Sequence, residues 1–194
     1  MKHITFYLDF VSPYAWLAFQ ALPKALEGIS HRLHYHPVVF GAMLKHHGQL
    51  GPAEMPGKRD WTYRQVMWLA KQQGTDLQMP ASHPFNSLSL LRLAVAASDN
   101  GEPNRYVVES IFKYVWCTGL EASDAERLEA LQLHFKPYGI QFLGNLPKGY
   151  LSEKNFRNRK QLLLSKTKGR ILTVDLQPEN NRNNIERSSL NQTT

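Results

Sequence analysis

Phe6-Tyr7-Leu8-Asp9-Phe10-Val11-Ser12-Pro13-Tyr14-Ala15-Trp16-Leu17-Ala18-Phe19 is the stretch on which the fold turns. Its first residues continue His3-Ile4-Thr5, and the run His3–Phe10 is rich in β-formers, so it reads as a strand. Val11-Ser12-Pro13 ends that strand. Ser12 is a good N-cap, and Pro13 suits the first helical position, where its missing N–H would have had no partner. Trp16, Leu17, Phe19, Ala21, Leu22, Ala25 and Leu26 then line one face of a helix that Gly28 stops. Arg32–Phe40 reads as a second strand, with Leu33, Tyr35, Val38 and Val39 on its apolar side. The result is a β-α-β unit of about 40 residues, whose strands should be parallel.

That corner is also where chemistry is expected. A hydroxyl stands at a helix N-terminus directly after a parallel strand. Free N–H groups and the positive end of the helix dipole favour an anion there. Ligands of open α/β sheets bind at the carboxyl ends of strands. A thiolate would be stabilised in that place, but the single cysteine of the chain is Cys117, far along the sequence. A thiolate at Ser12 would have to come from a bound cofactor. One cysteine also excludes an internal disulfide, a CxxC pair and a multi-cysteine metal site.

The pattern becomes helical after the second strand. Gly41–His47 is a short helix, Gln49–Asp60 a Gly/Pro-rich loop, and Trp61–Gln73 a helix whose Trp61, Val66, Trp68 and Leu69 are mostly apolar. Asp76–Asn86 is a second loop with Pro80 and Pro84. Ser87–Ser98 and Asn104–Trp116 are strongly helical, and Ser123-Asp-Ala-Glu126 is a capping box opening a helix to about Phe135. This is an α/β unit with a helical domain set into it.

The 194 residues are 42% hydrophobic and 20% charged, an ordinary globular composition that excludes disorder throughout. No run of about 18 apolar residues is present, so no membrane span is expected. The N-terminus has no cleavable signal pattern, and a cytoplasmic protein is inferred. The net charge of +7 is unevenly placed: residues 1–135 hold 12 Lys and Arg against 12 Asp and Glu, whereas residues 136–194 hold 11 against 4. All eight His and all four Trp lie before position 136, and eight of the eleven Asn lie after it.

FYLDFVSPYAWLAF, PVVFGAMLKHHGQLGPAEMPGKRDW and HPFNSLSLLRLAVAA occur in that order and resemble the 2-hydroxychromene-2-carboxylate isomerases and the related kappa-class glutathione transferases. The resemblance covers about residues 3–135. It implies a thioredoxin-like fold of the DsbA type, with residues 1–40 as its N-terminal βαβ part and 41–135 as the inserted helical domain. It implies glutathione as cofactor, a small aromatic substrate, and a homodimer with no nucleic-acid or membrane partner. Ser12 would be catalytic, holding the glutathione sulfur as a thiolate, with Pro13 and Tyr14 beside it. Gln49, where the family has asparagine, and Lys58 would contact glutathione. Phe85 and Asn86 would face substrate, Asn86 alternatively capping the helix after it. The implied reaction is cis–trans isomerisation of 2-hydroxychromene-2-carboxylate to the open-chain hydroxybenzylidenepyruvate in naphthalene-type catabolism. The alternatives are net glutathione transfer, a thiol-dependent oxidoreductase-like role, or an inactive family member altered at its C-terminus.

Other clusters read differently. His34 and His36 share one strand face, and His31 and His46-His47 lie nearby in sequence, but no Cys or carboxylate completes a metal set, so no metal is expected. Cys117 reads as a structural thiol. Lys154–Arg170 is basic, yet reads as a solvated segment and not as a nucleic-acid surface. Residues 136–194 form an atypical basic segment that reads as a frameshifted or otherwise replaced C-terminus, with a divergent C-terminal domain as the alternative. Arg170–Gln177 is its one good strand candidate, and Glu179–Thr194 reads as disordered. Pro137, Pro147 and Pro178 do not supply the family's Val-Pro-Thr segment, so half of the sheet is in doubt.

Loss of that segment removes two or three hydrogen bonds to glutathione, worth about 1.5–3 kcal/mol each when charged groups are involved. Calorimetric titration of this 194-residue chain should therefore give glutathione binding weaker than micromolar and little turnover. A micromolar Kd would mean that residues 136–194 rebuild the missing contacts.

Overall fold

The computed structural model describes residues 1–98 and 101–135. The expected strand Arg170–Gln177, the basic stretch Lys154–Arg170 and the polar end Glu179–Thr194 lie outside the described residues. β1 (Lys2–Leu8) and β2 (His31–Pro37) pair in parallel, in register from Lys2 opposite His31 to Leu8 opposite Pro37. α1 (Pro13–Ala25) connects them, and Gly28 closes the following turn at φ 74°. Then come α2 (Phe40–His46), a single 3-10 turn (Pro52–Glu54), α3 (Lys58–Gln73), α4 (Leu88–Ala96), α5 (Arg105–Trp116) and α6 (Ala125–Phe135). Among the described residues the sheet has these two strands, and no helix is long and apolar enough to cross a membrane.

Both strands end earlier than the β-propensity predicts. β1 stops at Leu8 and not at Phe10, and β2 stops at Pro37 and not at Phe40. The reason is the Asp9 carboxylate. It accepts the N–H groups of Val11 at 3.2 Å and Phe40 at 2.8 Å, drawing both strand ends out of the ladder. The bond from Val38 N–H to Leu8 O (2.8 Å) is the last between the two segments before the chains diverge.

Helix α3 starts three residues before the predicted Trp61, because Gly57 at φ 75° turns the chain directly into it. Its inward stripe is Thr62, Val66, Leu69 and Ala70, at helical spacing. Trp61 and Trp68, apolar though they are, lie outside it and are 59% and 52% exposed. The two indoles, seven residues apart, share a helix face well round from that stripe, so turning the stripe inward turns both of them out. Helix α6 opens at Asp124 and not at Ser123: the Asp124 carboxylate accepts Arg127 N–H at 2.8 Å, while the Ser123 hydroxyl donates to Glu121 at 2.6 Å.

The core lies where α1 and α5 meet under the sheet. Phe112 is its hub, with ring centroids 4.9 Å from Phe10, 5.7 Å from Trp16 and 5.4 Å from Phe19. All four rings are essentially inaccessible to water. The Arg105 guanidinium lies 4.2 Å over the outer face of Phe19 and covers that edge of the cluster.

Truncating a fully buried phenylalanine costs about 3–5 kcal/mol, a large share of the ~5–15 kcal/mol of a typical domain. Phe112→Ala should lower the unfolding free energy by that amount in urea titrations, and Phe112→Leu by clearly less. Equal, small losses for both would show that Phe112 is not the centre of the core.

Candidate functional site

The turn Asp9–Ser12 joins β1 to α1 through three peptide units, of which the last two form the corner. In the Phe10–Val11 unit, the carbonyl accepts the Trp116 indole N–H at 3.0 Å and the amide donates to the Asp9 carboxylate. In the Val11–Ser12 unit, the carbonyl lies 2.8 Å from His83 Nε2 and the amide donates to Asp9 O at 3.0 Å. Each unit is held at both ends, which answers the demand that buried backbone groups find partners. Ser12 then caps α1, with φ −93° and ψ 114°, its Oγ accepting Ala15 N–H at 3.3 Å.

The walls come from the helices. Tyr14, on the first turn of α1, donates its hydroxyl hydrogen to Gln65 Oε1 of α3. Tyr63 of α3 stands 2.7 Å from His83 Nδ1 and 3.1 Å from His83 O. The His83 ring packs edge-on against Trp116 and Phe85, with centroids 5.5 and 6.2 Å away.

Burial pushes the Tyr14 and Tyr63 phenols up, and two further groups are displaced. Burial pushes the Asp9 carboxyl up; the Ser87 hydroxyl and the amides of Phe40, Val11 and Phe10 act against this without cancelling it. Burial lowers the His83 pKa, and its bond to Val11 O opposes that only in part. Because a carbonyl can only accept, Nε2 carries the hydrogen, and the Nδ1 of the neutral ring accepts from Tyr63.

A family model for the DSBA-like thioredoxin domain matches residues 3–136. The chain belongs to the DsbA-like thioredoxin family. A solved structure of 2-hydroxychromene-2-carboxylate isomerase (selenomethionine form) superposes with a TM-score of 0.59 at 20% identity, covering 84% of this chain and 80% of that one. No curated protein matches the sequence. The DsbA-like fold expected from the three sequence motifs is therefore the fold of this chain.

In this DsbA-like domain Ser12, Pro13 and Tyr14 form the corner itself. Pro13 is buried and Tyr14 half-buried. Gln49 and Lys58 are exposed; Gln49 donates its backbone N–H to Leu44 O at 2.9 Å, and Lys58 is the first residue of α3. Phe85 is half-buried against the core beside His83. Asn86 is exposed, and its Oδ1 accepts Leu88 N–H at 3.1 Å, so it serves the start of α4. Among the described residues no three His, Cys, Asp or Glu side chains are placed to hold a metal ion. His34 instead approaches Glu102 at 3.3 Å.

Asp9, Tyr63, His83 and Trp116 were not legible as site residues. One signal was available: an acid between Leu8 and Phe10 at the end of an apolar strand, which is rarely buried without partners. Cys117 lines a cavity of about 370 Å³ with Trp16, Gln20, Asp76 and Lys113 among others, a lining that does not include Ser12. Burial and, after it, Asp76 push its thiol up to about 11, so it stays protonated at neutral pH.

The lowered pKa of His83 carries a sign. The unfolded chain takes up this proton first, so the His83 contribution to stability is present at high pH. It is lost as pH falls through the ordinary value of about 6.5 and on to the folded-state value. Unfolding free energies measured between pH 8 and pH 5 should fall with pH in the native chain, and His83→Gln should flatten that slope. An NMR midpoint for His83 at or above the ordinary value would contradict this.

Proposed function

We propose that this chain is a glutathione-dependent isomerase that converts 2-hydroxychromene-2-carboxylate into the open-chain hydroxybenzylidenepyruvate, in the cytoplasmic breakdown of bicyclic aromatics. The observation that carries the reading is the state of the Ser12 hydroxyl. One of its lone pairs takes the Ala15 N–H, which leaves its hydrogen free to point at an incoming sulfur. The helix N-terminus behind it favours that sulfur as an anion. The chain's own thiol, at Cys117, is elsewhere and protonated. The solved structure that shares this fold is named as an isomerase of that substrate.

Glutathione, when bound, supplies a thiolate that adds reversibly to an electrophilic carbon and so frees a carbon–carbon bond to rotate. The residues of the chain do the rest. Ser12 Oγ–H donates to the sulfur and holds it ionised. Pro13 fixes the start of α1, its preset φ holding the turn at which Ser12 caps the helix. Tyr14, tied to Gln65, walls the thiol against α3. Lys58 would meet a glutathione carboxylate and Gln49 its peptide backbone, with Phe85 offering an apolar surface to the aromatic substrate.

Ser12→Ala removes a hydrogen bond to a charged group, worth about 1.5–3 kcal/mol. In a protein carrying a family-type C-terminus in place of residues 136–194, with millimolar glutathione, interconversion of the chromene and open-chain acids, followed by absorbance, should slow by about 10- to 100-fold in this variant while the circular dichroism spectrum stays native. An unchanged rate in that variant sinks the reading. Accumulation of a stable glutathione conjugate would assign the chain to net transfer instead.

A further inference from the structure

The His83 imidazole touches neither the Ser12 hydroxyl nor the α1 amides, yet it holds the peptide unit that ends at the Ser12 nitrogen. We propose that His83 is a positioning residue for Ser12: its Nε2–H pins the Val11 carbonyl, and through the Val11–Ser12 peptide plane it sets the direction in which Ser12 Oγ projects. The purpose assigned to it, orienting a hydroxyl toward a thiolate, rests on the function proposed above. The positioning itself rests on geometry alone.

Four observations converge. The contact from His83 Nε2 to Val11 O is 2.8 Å and spans 72 positions of sequence, so it is a tertiary clamp and not a local turn. The amide of the same peptide plane is already fixed on Asp9 O at 3.0 Å, so His83 supplies the second of the two attachments that prevent the plane from rotating. The Val11 carbonyl can only accept, which puts the hydrogen on Nε2, and Tyr63 sits on the other ring nitrogen at 2.7 Å. The ring is also wedged between Trp116 and Phe85 and has little room to swing away. A histidine placed only to fill space would need neither a fixed tautomer nor a partner at each nitrogen.

Trp116 does the equivalent for the preceding peptide unit through Phe10 O. The two clamps differ in one respect. The indole N–H is a permanent donor, whereas the imidazole donates only in the tautomer that the Val11 carbonyl selects.

The test uses the full chain and two variants. His83→Leu fills the space without a donor, and His83→Gln returns an N–H at about the reach of Nε2. Amide hydrogen exchange, read by mass spectrometry or NMR, follows the Ser12 N–H. Protection there should fall at least tenfold in His83→Leu and recover to within about threefold of the native chain in His83→Gln, with α5 amides unchanged in both. The electrostatic consequence is read by adding Ser12→Cys to each chain and measuring the pH dependence of alkylation at position 12, with Cys117 distinguished by peptide mass. The thiol introduced there should titrate below the ordinary value of about 8.5 when His83 is present. With His83→Leu it should rise by about one unit, a tenfold loss of thiolate, and with His83→Gln it should return.

Unchanged Ser12 protection in His83→Leu overturns the positioning role, whatever the thiol does. Equal loss in both variants also overturns it, since that pattern belongs to general loosening. If protection behaves as expected but the introduced thiol titrates normally with His83 present, the clamp stands and the thiolate reading of the corner fails.

Discussion

One buried carboxylate organises the junction on which the rest of this domain is hung. Asp9 is 3% exposed, and its two oxygens take the amides of Val11 and Phe40. Those bonds end both strands, bend the chain into α1, and satisfy the first N–H of α2, whose N-cap residue Val39 has no side chain able to do so. Placing a charge so deep costs free energy, which is why the carboxyl sits above its ordinary pKa. Backbone amides and the Ser87 hydroxyl offset part of that cost, and the helix N-terminus at Phe40 adds a favourable dipole.

The corner that follows cannot be assembled from local sequence. Trp116 reaches Phe10 across 106 positions and His83 reaches Val11 across 72. Ser12 therefore acquires its orientation only when the 74–87 loop and α5 have packed onto the β-α-β unit. The aromatic core helps to enforce this. Phe10 stacks edge-on against Phe112 one turn before Trp116, so the packing that buries Phe10 also brings the indole within reach of its carbonyl. Packing energy and site geometry are supplied by the same helix.

The chemistry of the corner follows from what stands there. A hydroxyl capping a helix has a hydrogen to give and sits in a field that favours anions, but it is a poor nucleophile unless a base is beside it. The hydrogen-bonded groups around Ser12 are backbone atoms, Asp9 and His83, and His83 spends its N–H on a carbonyl while its other nitrogen faces Tyr63. Such a place suits a nucleophile brought in from outside better than one made on the spot. The protonated state of Cys117 points the same way.

The sequence by itself determined the order of elements through Phe135. Alternation and β-formers marked β1 and β2, the Ser12-Pro13 cap marked α1, and apolar spacing marked α3 to α6. Ser12 was legible because a cap is a local device, written in adjacent residues. Where each strand stopped was not legible, because Asp9 and Phe40 are 31 positions apart and β-propensity continues past both ends. Which face of α3 turned inward was also undecided, since Trp61 and Trp68 carry as much apolar surface as Val66 and Leu69, and only the neighbouring α1 selects among them. Tertiary structure alone gave Asp9, His83, Tyr63 and Trp116 their roles. A side chain that bonds to a distant backbone atom leaves no periodicity and no spacing to read; its partner exists only once the chain has folded.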